Sequence, residues 1–262
     1  MTKSFLPGVT RQKQPAPPAS TAPAQKNLGR PPRVIVSTIL IFIISQLIAV
    51  FVVSLVYGIV KPHHPDLDNS IIGQFFYIVL AEGLAAWLAI KLVQNRGLSL
   101  AVIGLGRRPK GSDLIKAAIG FAIFYGLIIV ASVVINAVSP NLNNQQQDIG
   151  FTNISNGGEN ALAFISLVIL PPLGEETLVR GYLFSGLRKY WRFWPALAVT
   201  SLIFGAAHLE FGSGGPLVWA AAVDTFLLSI VLCFLRERTG ALYAGMLVHM
   251  ANNLIAFGVH FK

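Results

Sequence analysis

The sequence predicts an all-α fold: a polytopic transmembrane bundle of about seven helices. Three observations carry this. Apolar residues, 54% of the chain, gather in runs of about 18 or more, the length needed to cross roughly 30 Å of hydrocarbon at about 1.5 Å per residue. The runs do not alternate with the period of two that a barrel strand needs, and a segment in lipid that must pair its own backbone groups is a helix. Basic residues cluster on alternate connections between the runs.

Residues 1–33 hold six basic side chains (Lys3, Arg11, Lys13, Lys26, Arg30 and Arg33), no acidic one, and the stretch PAPPASTAPA. A segment so poor in apolar residues and rich in proline buries no core, so a disordered tail that touches anionic lipid is expected. It lacks the short apolar core and small-residue cleavage site of a signal peptide. Seven spans follow at about 34–60, 71–93, 114–138, 160–185, 194–209, 217–235 and 241–259, with the transmembrane domain over 34–262 and its peptidase core over about 114–260. With the N-terminus in the cytoplasm, fifteen basic residues fall in the tail and in 94–113, 186–193 and 236–240, against Lys61 and Lys262 on the far side. That bias fixes orientation through short loops. The apolar LSLAVIGLG of 94–113 is too short to span and is expected along the cytoplasmic surface. A net charge of +9 placed as span flanks is a topology signal, and with no nucleic-acid motif it does not indicate a nucleic-acid partner. The single cysteine, Cys233, forms no internal disulfide and no cysteine metal cluster.

Ionisable side chains inside spans cost about 2.5–3.5 kcal/mol each at a helix centre, so each needs a reason. They are Glu82, Glu175, Glu176, Arg180, His208, Asp224 and His249, the last with Asn252 and Asn253. In PPLGEETLVRGYLF, Pro171 and Pro172 are expected to break or kink the fourth helix just ahead of the acids. Glu176 and Arg180 stand four apart on one face, suited to an ion pair, while Glu175 has no partner on its own helix. Phe204 and His208 are likewise four apart, and so are His249 and Asn253. Singly, each string also fits a structural role: an ion pair, an interfacial histidine, a helix–helix hydrogen bond. Jointly, a carboxylate and a histidine can share a water and take its proton, and a second histidine with an amide can hydrogen-bond an oxyanion.

These strings resemble the CAAX prenyl protease and bacteriocin-processing (Abi, CPBP) family of intramembrane peptidases. The family's Glu-Glu-x-x-x-Arg, Phe-x-x-x-His and His-x-x-x-Asn appear in that order as Glu175-Glu176-x-x-x-Arg180, Phe204-x-x-x-His208 and His249-x-x-x-Asn253. The phrases RERTGALYAGMLVHMANN and GLSLAVIGLG are also similar to it, and the likeness spans about 95–260. The resemblance implies that Glu175 and His208 activate water, and that His249 and Asn253 hold the oxyanion. It makes Glu176 and Arg180 a supporting pair and Phe204 a packing residue. It assigns nothing to Glu82 or Asp224. The family is described both as metalloproteases and as metal-independent glutamate proteases. Glu175, His208 and His249 are the set that could bind Zn2+, but there is no His-Glu-x-x-His string and no obligatory metal is expected.

One difficulty is geometric. Counted at about 1.5 Å per residue, Glu175 falls toward the cytoplasmic end of 160–185 and His208 toward the far end of 194–209. The proline break or a shifted fifth span would be needed to level them. The rival readings are a non-catalytic binding or scaffold protein on the same fold, and a transporter using Glu175, Arg180 and Asp224, against which the lack of an internal repeat counts. Expected partners are membrane lipid and a peptide or protein substrate: the C-terminal peptide of a lipidated protein, or a leader peptide. The expected location is the plasma (inner) membrane. Reporter fusions at the two termini are expected to lie on opposite sides of the membrane, the N-terminal one cytoplasmic. Finding both on one side would mean an even number of spans.

Overall fold

The computed structural model describes residues 26–60, 70–138, 150–151, 154–209 and 219–261. The described residues form α1 (Pro31–Val60), α2 (Ile71–Asn95), α3 (Gly111–Val138), α4 (Gly157–Arg188), α5 (Phe193–Ala206), α6 (Ala220–Thr239) and α7 (Tyr243–His260). No strand occurs among them. The chain is a multi-pass helical membrane protein, and the first four helices are each long and apolar enough to span by themselves.

Of the expected 1–33 tail, residues 1–25 lie outside the described residues, as do Lys61 and Lys262. The remainder is not a loose tail. Leu28 is buried in the core, and α1 begins at Pro31, where a missing N–H costs a helix nothing. α1 packs through Val34, Thr38, Ile41, Ser45, Ala49 and Val53, and α2 through Ala81, Ala85, Ala89 and Val93. Spacings of three and four put each set on one face, and the small side chains let the backbones close up without needing a hydrophobic drive that lipid does not supply. The outer faces keep Leu47, Phe51 and Ile59 exposed, as a lipid-facing surface should.

α4 is the central helix, and every residue of 176–184 is buried. It starts on an Asn156 side chain that accepts from the Glu159 N–H at 3.0 Å, with the Glu159 carboxylate accepting from Ser155. Of the break or kink expected at Pro171–Pro172, the break does not occur. Helix continues through both prolines, relieved by π-helical turns over 165–169 just before them and over 176–184 just after.

The segment 94–113 makes a short 3-10 turn over Leu100–Ile103, with Ala101 and Val102 exposed and Leu98 and Leu100 half-buried. Ile103 is wholly buried, and its carbonyl oxygen sits 3.2 Å from where a Cβ on Gly181 would be. The Gly104 carbonyl accepts from Leu242 N, and the Val102 carbonyl from Arg236. At the same end Arg188 forks onto Glu237 at 3.0 and 2.7 Å, fastening α4 to α6. Gly240, at φ +66°, then turns the chain from α6 into α7.

α5 and α6 approach closely at Gly205, where a Cβ would stand 2.8 Å from the Ala222 carbonyl oxygen and 3.0 Å from Phe226 Cβ. Backbone cannot give way there as a flexible side chain would. Gly205→Ala should therefore lower the melting temperature in detergent, by circular dichroism, in proportion to an overpacking cost of about 1–3 kcal/mol. Gly126→Ala, where nothing lies within 4 Å, should leave it equal or higher. Equal behaviour of the two variants would refute the close packing.

Candidate active site

The helix lengths remove the levelling difficulty. α4 runs on to Arg188, so Glu175 lies thirteen residues from that end, while His208 lies fifteen residues beyond Phe193 at the start of α5. Those are depths of about 20 and 22 Å from the connecting turn. The two side chains meet: Glu175 Oε1 is 3.9 Å from His208 Nε2, and Glu175 Oε2 is 3.8 Å from His249 Nε2.

Each histidine has its other nitrogen tied. The Phe204 carbonyl is 2.8 Å from His208 Nδ1. A carbonyl only accepts, so Nδ1 carries the hydrogen and Nε2 of the neutral ring presents a lone pair to Glu175. His249 Nδ1 is 3.3 Å from Glu176 Oε1, and the same reasoning leaves its Nε2 facing Glu175. Glu175 thus sits between two imidazole nitrogens, and its Oε2 is buried without a hydrogen-bond partner.

Glu176 and Arg180 pair at 2.8 Å with neither side chain exposed. The spacing anticipates the pair but not the second use of the same oxygen, Glu176 Oε1, which also holds His249. Gly245 on α7 makes this possible, since a Cβ there would stand 3.3 Å from Glu176 Oε2. Phe204 lies between the charges and the rings. The Arg180 guanidinium is 4.2 Å from its centroid, His208 packs at 4.7 Å, and His249 meets it edge-on at 6.0 Å.

Asn253 has a local cause. Neither Pro171 nor Pro172 has an N–H, so the Leu167 carbonyl finds no donor four or five residues ahead, in an α turn or in a π turn. Asn253 Nδ2 supplies one at 2.9 Å and so docks α7 on α4. One amide hydrogen is used there, and the other remains. Asn252 is turned aside, accepting from the Tyr125 hydroxyl at 3.4 Å.

Two cavities meet at Glu175 and His208. One, of about 450 Å³, opens among α3, α4, α6 and α7 and is also lined by His249, Asn252, Asn253 and Asp224. The other, of about 340 Å³, lies among α1, α2, α4 and α5; its walls are mostly apolar, with Thr38, Gln46 and Glu82 the polar side chains added from α1 and α2. Glu82 reaches the site because residue 174 is glycine: a Cβ there would fall 2.8 Å from Glu82 Cβ and 3.0 Å from its carbonyl oxygen. Glu82 and Asp224 were legible as charges inside spans, but no spacing rule linked them to the three motifs.

Glu175, His208 and His249 have the donor chemistry for zinc, with both imidazoles oriented through Nδ1 as metal-bound histidines are. Their facing atoms, 3.8 and 3.9 Å apart, are a little wider than two ligands on one zinc, and no three His, Cys, Asp or Glu side chains among the described residues form a closer group. Cys233 is buried in the core.

Comparison with known proteins agrees with the motifs. A family model described as type II CAAX prenyl endopeptidase Rce1-like matches residues 157–255. An Escherichia coli protein described as an uncharacterized 24.3 kDa protein is 26% identical over 179 residues, which is 66% of this chain and 76% of that one. No solved structure matches. The matched stretch, residues 157–255, holds all three motifs and is thus similar to the type II CAAX prenyl endopeptidases that those motifs resemble.

Proposed function

We propose that the protein is an intramembrane endopeptidase that cleaves a peptide bond with a water activated between Glu175 and His208. The carrying observation is that a carboxylate oxygen and an imidazole lone pair face each other at 3.9 Å. Two acceptors at that separation have no direct bond to make, but a water between them can donate one hydrogen to each. The water oxygen attacks the carbonyl carbon as Glu175 takes its proton. The oxyanion receives the free amide hydrogen of Asn253 and, when both its nitrogens are protonated, the Nε2–H of His249. The intermediate collapses, the C–N bond breaks, and Glu175 passes its proton to the leaving amine. Glu176 and Arg180 hold His249 and Phe204 in place without touching substrate. The reaction needs no resident metal in this reading.

The substrate is a peptide or protein segment that reaches the site from lipid, with the N-terminus of the enzyme in the cytoplasm and the chain in the plasma (inner) membrane. The family resemblance suggests a C-terminal peptide of a lipidated protein or a leader peptide, and roles in maturation or bacteriocin self-immunity.

Glu175→Gln keeps the shape and removes the base, so it should give a normally inserted, thermally ordinary protein with a rate lower by about 10²–10⁴-fold. Glu176→Gln leaves the buried Arg180 without its counter-charge, at about 3–5 kcal/mol, and should lose abundance and melting temperature first. Changing Glu176 and Arg180 together to Leu and Met should recover stability but not rate, because His249 stays unanchored. A stable, fully active Glu175→Gln would refute the assignment, and stable, functional forms of both single variants would favour a non-catalytic scaffold.

Dialysis of the purified enzyme against a chelator should leave the cleavage rate unchanged. A loss restored by added zinc would instead make Glu175, His208 and His249 its ligands.

A further inference from the structure

Asp224 has no part in the chemistry above, yet it belongs to the polar cavity. Ala221, Asp224, Thr225 and Leu228 all line that cavity, and their spacing of three, one and three puts them on one face of α6. Among the described residues no hydrogen bond or ion pair reaches the Asp224 carboxylate, and no lysine or arginine lines the cavity. Nor does the stretch 210–218 just before α6 contain a basic residue. Neighbouring polar groups are already engaged: the Thr225 hydroxyl donates to the Ala221 carbonyl at 2.7 Å, and the Tyr125 hydroxyl donates to Asn252. Asp224 stands exposed on this cavity one turn into α6, and the described residues supply it no partner. The same cavity is lined by the rings of Phe124, Tyr125 and Phe257, and aromatic rings attract cations by their faces.

We propose that Asp224 makes this cavity a subsite for a basic side chain, lysine or arginine, of the peptide being cut. The cavity also contains Glu175, His208 and His249, so a side chain held there belongs to a residue near the scissile bond. The inference rests on the peptidase reading and adds a specificity to it. Asp224 is a recognition residue; it moves no proton in the reaction.

Two measurements on the full-length protein in detergent test it. The first is digestion of a random octapeptide library blocked at both ends, with products sequenced. Lysine and arginine should be enriched near the cut, Asp224→Asn should reduce that enrichment about tenfold, as loss of a charge-assisted hydrogen bond implies, and Asp224→Glu should retain most of it. The second does not depend on turnover. Butylguanidinium, an arginine side-chain mimic, should raise the melting temperature of the wild type and of Asp224→Glu but not of Asp224→Asn, while its neutral counterpart butylurea should raise none. Unchanged preference in Asp224→Asn, or an equal response to the two probes, overturns the subsite and leaves the peptidase standing. An Asp224-dependent response to butylguanidinium with no peptide cleaved would keep the cation site and remove the peptidase.

Discussion

A single buried carboxylate oxygen organises much of this protein. Glu176 Oε1 takes a hydrogen bond from Arg180 on its own helix and faces His249 on α7, and Arg180 in turn lies on the Phe204 ring of α5. Three helices are therefore referred to one atom in a region with little water to compete. Burying an ion pair is seldom a gain over packing apolar residues in its place. What the pair supplies is position: with His249 anchored through Nδ1, its other nitrogen has one direction to face. The remaining polar atoms of the pair, Glu176 Oε2 and Arg180 Nε and Nη2, have no partner among the described residues, so removing either residue disturbs an arrangement that is already expensive.

The two histidines are held by different means to the same end. His208 is anchored on the carbonyl of Phe204, four residues back in its own helix, so its tautomer is a local property of α5. His249 depends on another helix. Displacement of α7 would release one ring and leave the other, so the His208 side of the site is locally encoded while the His249 side depends on tertiary packing.

The spans and the three motifs were legible because lipid imposes a length on apolar runs and a helix imposes a period of about four on facing residues. The failures have physical causes of a different kind. The break expected at Pro171–Pro172 did not form, because π-helical turns on either side absorb the missing donors. The levels of Glu175 and His208 are hard to read from the string because the basic Arg188 marks a connection, whereas it closes the helix by gripping Glu237. Nothing in the LSLAVIGLG string marks Ile103 as core, since the space left by Gly181 is visible only in three dimensions. Asp224 and Glu82 could be flagged as costly but not placed, because contacts between helices leave no fixed interval in one chain.

The proline pair has a consequence for how this protein would tolerate stabilisation. In most helices an interior proline is a defect, and alanine in its place strengthens the helix. Here the defect is what leaves the Leu167 carbonyl open to Asn253. Alanine at 171 or 172 would restore a backbone amide that competes for that carbonyl, and a sounder α4 would then loosen the hold on Asn253 that helps seat α7. Local helix strength and an assembled site are opposed at this position, so a search for more stable forms would tend to select against that assembly.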